Sequence, residues 1–192
     1  MFNSSKWQKV IALFLFACFA MSPASGLAKS YKKSLKEHVR KDEAYGRPDF
    51  YASLSWQAVW LSPAMQAAQS DLVRKIYKHT PDKHANFTKT HLLNLQGHPV
   101  FFVSFYSYDP AESNLAHKNS VWKLSLQSQG RTWQPEHIQK VSKLDSLQHM
   151  LYPFADVWSK FFLVHFPKNL DLSQPFTLRV DGPHGKSELK WD

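Results

Sequence analysis

The chain is 192 residues long, 43% hydrophobic and 15% aromatic, with a formal net charge of +9. Its one cysteine is Cys18, so catalytic thiols, thiolate metal sites and a disulfide framework are excluded for everything downstream. The length suffices for one domain with its own core, and the positive balance suits anionic surroundings such as lipid head groups or acidic polysaccharide.

The first residues place Lys6 and Lys9 ahead of an apolar run of 12 residues, Val10 to Met21, followed by Pro23, Ala24, Ser25 and Gly26. That order is the pattern of a secretory signal peptide. A bilayer-spanning helix needs about 20 apolar residues, so no permanent transmembrane segment is expected. Small residues allow cleavage after Ala28 or after Gly26. A second reading takes Leu15-Phe16-Ala17-Cys18 as a lipoprotein cleavage box, against which Phe16 is bulky and the apolar run continues past Cys18.

Residues 29–49 read as a basic leader. Tyr31, Leu35 and Val39 recur every four residues between lysines, which predicts a helix over Lys29–Lys41 with a thin apolar face and a largely solvated surface. Gly46 and Pro48 turn the chain into a domain expected over 50–192. Ser53–Leu61 alternates, with Leu54, Trp56, Ala58 and Trp60 on the inward side of a strand.

Ser62-Pro63 starts a helix, because serine caps free amides and proline suits the first turn; Met65, Ala68, Leu72 and Ile76 supply its buried stripe. Thr80-Pro81-Asp82 ends it. Lys83–Thr88 reads as polar loop, Lys89–Leu95 as a strand, and Gln96-Gly97 as a hairpin turn into Val100–Tyr108. This last stretch is apolar on both faces at its start, as a strand tolerates only when each side is covered, and is expected at the centre of a sheet.

Val121–Gln127 alternates, with Trp122, Leu124 and Leu126 inward. Ser128-Gln129-Gly130-Arg131 is a turn. Glu136–Ser142 is ambiguous between strand and connection, and Asp145 caps a short helix ending before Pro153. Trp158–Phe166 is again apolar on both faces and reads as a second central strand. In the last hairpin Phe176, Leu178 and Val180 face in and Leu189 and Trp191 return on the same side. Phe102, Trp122, Phe162 and Leu178 are expected to share one core.

Hairpin-linked strands without regular alternation of strand and helix predict a mainly β chain. Specifically, they predict an antiparallel β-sandwich, Ig-like or C2-like, with one amphipathic helix inserted after the first core strand.

Ten histidines invite a metal reading, yet no HExxH or other short ligand spacing occurs. The best pair is His91 and His98, which flank the expected hairpin turn. There is no GxSxG elbow for a nucleophilic serine. Asp109, Glu112 and Asp156 lie in loops, where a carboxylate pair for polymer hydrolysis would sit. Most aromatics fall on inward faces, and an exported chain meets little nucleic acid, so nucleic acid is not read as a partner.

A more suitable contact surface is the loop carrying Tyr106, Tyr108, Asp109, Glu112 and Asn114, since tyrosine offers a rigid face and a hydroxyl at low entropic cost. Asn86-Phe87-Thr88 matches a glycosylation acceptor. The expectation is therefore an exported, periplasmic or extracellular binding or structural domain, non-catalytic and without a cofactor. Its partner would be an envelope component, glycan or protein, and an anionic one suits the charge. The alternative is a hydrolase of cell-envelope polymers using loop carboxylates or histidines.

Overall fold

The computed structural model describes residues 23–45, 53–91 and 97–192. Among these the chain is mainly β, with nine strands in two antiparallel sheets. In chain order the elements are helix α1 (Pro23–His38), β1 (Val39–Ala44), β2 (Leu54–Trp60), α2 (Pro63–Ile76), α3 (Pro81–His91), β3 (Val100–Ser107), β4 (Lys123–Ser128) and β5 (Arg131–Trp133). Then follow β6 (His137–Val141), α4 (Ser146–Leu151), β7 (Lys160–His165), β8 (Phe176–Gly182) and β9 (Gly185–Trp191). One sheet has the order β1-β2-β3-β7-β6, the other β5-β4-β8-β9.

The doubly apolar stretch at Val100 is the centre of the larger sheet, with β2 on one side and β7 on the other. Phe101, Val103 and Phe105 point to the second sheet, where they join Trp56, Trp122, Leu126, Phe162, Leu178 and Trp191 in one apolar cluster. Val100 and Phe102 point the opposite way. There Tyr31 and Leu35 of α1, Met65 and Val73 of α2, and Leu151 and Tyr152 at the end of α4 form a second cluster around them.

The expected single core is thus two cores. Phe102 stacks on Tyr152 at 3.8 Å, separated by the sheet itself from Trp122, Phe162 and Leu178. Because strand side chains alternate faces, Phe101 and Phe102 cannot share a layer. Each fully buried side chain of this size contributes about 1.5–3 kcal/mol, and the helices are what make that burial available on the outer face.

Two local readings differ from the expectation. The thin apolar face of the basic segment is docked rather than frayed: Lys32, Lys33 and Lys36 are exposed, but Tyr31 and Leu35 are buried, and the Tyr31 hydroxyl donates to the Leu151 carbonyl. Desolvation pushes the Tyr31 hydroxyl pKa well above the usual range. Helix α1 ends at His38, and Val39–Ala44 continues as an edge strand against β2, with Val39 opposite Val59 and Ala44 opposite Leu54. The helix at Ser62-Pro63 follows β2, and β1 precedes both as an edge strand.

The other difference is at Pro81. Read as a stop, it instead opens α3, with Asp82 in the first turn and His84 N–H donating to Thr80 O at 2.9 Å. Proline fits a first helical turn as well as it breaks an interior one. Lys83–Thr88 and the first residues of the expected strand at Lys89 are consequently helical, and 92–96 lie outside the described residues.

Elsewhere local chemistry is as expected. Ser62 caps α2 by accepting from Met65 N–H at 3.1 Å. Asp145 and Gln148 form a reciprocal capping box at α4. Gln129 and Gly130 take φ of 52° and 71°, the left-handed pair of a two-residue hairpin between β4 and β5. The ambiguous stretch at Glu136 supplies β6 on the edge beside β7.

Candidate functional site

The segment after β3 is built by its own turns. Asp109 Oδ1 accepts the Ala111 N–H at 2.8 Å, and its carbonyl accepts from Glu112 N–H at 3.1 Å and Ser113 Oγ at 3.2 Å. Asn114 Oδ1 accepts the Ala116 N–H at 3.3 Å. Both side chains thus act as local turn acceptors, the ordinary use of Asp and Asn in loops. Lys160 of β7 donates to the Pro110 carbonyl and ties the loop to the sheet.

Tyr106 is half-buried within β3, opposite Ser55, whereas Tyr108 is exposed at 57%. Glu112 leaves this local network: its Oε2 lies 3.2 Å from Nε2 of His184, in the turn between β8 and β9. That contact lacks hydrogen-bond geometry, since Glu112 Oε2 has no hydrogen-bond partner. The His184 ring in turn sits 6.2 Å from that of Trp122.

Strand register gathers more aromatics at the same end of the larger sheet. β1 finishes at Ala44 opposite Leu54, β3 finishes at Ser107 opposite Leu54, and β7 begins at Lys160 opposite Phe105. Tyr45, Tyr108 and Trp158, which flank those strand ends, therefore share one edge of the fold, exposed at 62%, 57% and 78%.

The Trp158 loop is held by Asp156 Oδ1, which accepts the N–H groups of Trp158 and Ser159, both at 2.8 Å. The Tyr45 hydroxyl donates to Glu43 Oε2 at 2.8 Å, and Lys41 pairs with Oε1 of the same carboxylate at 2.8 Å. Lys41 first and Tyr45 second hold the Glu43 carboxyl below its usual range. Trp158 was hidden in the sequence by its apolar neighbours, which read as one continuous strand. Tyr45 follows a strand too polar to announce itself.

The histidines converge differently from the expected pair. His91 ends α3, so it is helical rather than opposite His98 in a hairpin; its side chain lies outside the described residues. His98 instead meets His165, which also meets His137. His165 is paired directly with both Val100 and His137 across the sheet, and its ring lies 6.3 Å from that of His98 and 6.0 Å from that of His137. His98 Nδ1 donates to Phe166 O at 2.9 Å and lies 3.4 Å from Glu136 Oε2.

Burial, and then the neighbouring His137 and His98, hold the His165 pKa below the usual histidine value. No sequence spacing links residues 137 and 165; only strand register does. Among the described residues no group of three or more His, Cys, Asp or Glu side chains could hold a metal ion.

A groove of about 370 Å³ lies at the far end of the smaller sheet, among Gln127, Arg131, Phe176 and Lys190, away from the exposed aromatics. Among the described residues no helix is long and apolar enough to cross a membrane. Compared with protein-family models, curated proteins and solved structures, the chain matches none of them.

Proposed function

We propose that this chain is an exported, non-catalytic binding or structural domain, an Ig-like or C2-like β-sandwich acting at the cell envelope or outside the cell. What carries the reading is the row of exposed aromatics, Tyr45, Tyr108 and Trp158, at one end of a rigid sheet. Aromatic faces beside hydrogen-bonding loops are the usual equipment for contacting a glycan or a protein surface, because they bring large area with few rotamers to freeze. The net charge of +9 favours an anionic partner.

The test is retention of the purified chain on envelope fractions, polysaccharide and protein separately. Wild type is retained, and the double variant Tyr108→Ala with Trp158→Ala is lost to the flow-through while keeping its unfolding midpoint. Equal retention of the two would remove the aromatic edge from the account.

The 3.2 Å contact of Glu112 with His184 favours a second reading, a hydrolase of envelope polymers in which this pair exchanges a proton with substrate. Release of soluble fragments from envelope polymer by wild type but not by Glu112→Gln would select it over the binding reading.

A further inference from the structure

We propose that the helical layer of this chain docks on an anionic lipid bilayer, with its lysines against the head groups. The placement comes from how the helices pack. Tyr31 and Leu35 of α1 and Met65 and Val73 of α2 are buried on the face of the larger sheet that turns away from the smaller one. Burial at that spacing leaves the other side of each helix to solvent. There α1 carries Lys32, Lys33 and Lys36 and α2 carries Arg74 and Lys75, all exposed. Helix α3, tied to α2 by the 2.8 Å contact of Ser70 Oγ with His84 Nε2, adds exposed Lys83 and Lys89.

Few acids offset these charges. Glu37 lies 3.9 Å from Lys33 and Asp71 lies 3.1 Å from Arg74, while Asp82 stands in the first turn of α3. Lys32, Lys36, Lys75 and Lys78 make no ion pair among the described residues. The outward side of the smaller sheet is different, because its cations alternate with acids: Asp181 is the cross-strand partner of both Lys123 and Lys186, and Glu188 that of Arg179. The positive excess of the chain is thus gathered on the helical side, which is complementary to a surface of anionic head groups.

Exposed apolar area favours a bilayer over a hydrated acidic polymer. Helix α2 closes on a left-handed residue, Lys78 with φ of 49°, and His79 N–H donates back to Arg74 O at 3.1 Å. That closure fixes a corner. On it Ile76, expected in the buried stripe of α2, and Tyr77 are each 49% exposed, with Arg74 and Lys75 before them and Lys78 after. An aliphatic side chain and an amphipathic ring beside cations gain by entering the boundary between head groups and acyl chains. The apolar side of α1 is already occupied by the sheet, so attachment is by a folded basic face and not by insertion of a free amphipathic helix. These helices are separate from the aromatic edge, and the inference does not rest on the function proposed above.

The experiment is co-sedimentation of the tag-free chain, as its native host makes it, with vesicles of mixed phosphatidylglycerol and phosphatidylcholine and with vesicles of phosphatidylcholine alone. Binding to the anionic vesicles is expected, weakening as salt is raised. Each cation near such a surface contributes about fivefold to partitioning, so the variant Lys32→Gln, Lys36→Gln, Lys75→Gln with Lys78→Asn should bind at least about a hundredfold more weakly. A control that removes the same charge from the smaller sheet, Lys123→Gln, Arg131→Gln, Lys186→Gln with Lys190→Gln, should stay within about fivefold of wild type. Equal binding to the two kinds of vesicle, equal loss in the two variants, or retention on immobilised alginate, an acidic polysaccharide, in place of vesicle binding would overturn the proposal.

Discussion

Trp56 and Ser187, on facing sheets, are joined by a 2.6 Å hydrogen bond from the indole Nε1 to the serine Oγ. Ser187 Oγ–H in turn donates to Asp42 Oδ2 at 2.5 Å, so a single buried hydroxyl satisfies a tryptophan of β2 and a carboxylate of β1 from its place on β9. The same seam carries Arg40 Nε to Lys190 O at 2.7 Å and Trp191 Nε1 to His38 O at 3.0 Å. Side chains here stitch together two sheet edges that make no backbone ladder. Ser187→Ala should cost about 1–3 kcal/mol in urea unfolding, because it leaves the Trp56 donor buried and unpaired. A loss within about 0.5 kcal/mol, the range of an ordinary surface change, would show that the seam contributes little.

Gly182 lies flat against Trp122. A Cβ at this position would stand 2.2 Å from Cε3 of the indole, which is itself buried at 2% exposure and has no room to retreat. Gly182→Ala is expected to cost about 1–3 kcal/mol through overpacking, measured as a lowered denaturation midpoint. Gly130→Ala is the informative contrast. Its Cβ would meet nothing within 4 Å, so only the left-handed φ of 71° opposes it, and the cost should be about 1 kcal/mol.

Phe102 tests the second core. Its ring is parallel to that of Tyr152 at 3.8 Å and close to Phe154 and Phe161. Phe102→Ala should cost about 3–5 kcal/mol, comparable with Phe101→Ala on the opposite face, although the two remove contacts from different layers. If Phe102→Ala alone were nearly neutral, the helices would not be docked on the sheet as described.

Stability should fall on mild acidification because of His165. Its folded pKa lies below the ordinary histidine value, burial being the main cause and the charges of His137 and His98 the next. The unfolded chain therefore takes up this proton more readily. The contribution is fully present above about pH 6.5 and is lost as pH falls through the folded value. Urea midpoints measured from about pH 7.5 to 5 should decline less steeply in His165→Gln than in wild type. Identical slopes would contradict the assignment.

Alternating residues made β2, β4, β8 and β9 readable from sequence, runs apolar on both faces made β3 and β7 readable, and cap chemistry made the starts of α2 and α4 readable as well. What stayed hidden depends on partners far away in the chain. Val39–Ala44, VRKDEA, carries no apolar alternation because it is an edge strand fastened by Arg40 and Asp42 to β9. Pro81 has the same local meaning at the end of one helix as at the start of the next.

Among the candidate site residues, Tyr108 is exposed, while Asp109 and Asn114 are occupied in turns. Glu112 finds His184, and His98 finds His165, only through strand register. Neither pairing leaves a local trace.

The central claim, a domain that works outside the cytoplasm, is tested most directly by the intact mass of the chain purified from the envelope and medium of its native host. The account predicts a species in those fractions that begins at Lys29 or Leu27. A lipid-modified species beginning at Cys18 would keep the domain outside the cytoplasm but anchor it. A full-length chain starting at Met1 and confined to the cytoplasm would contradict the account.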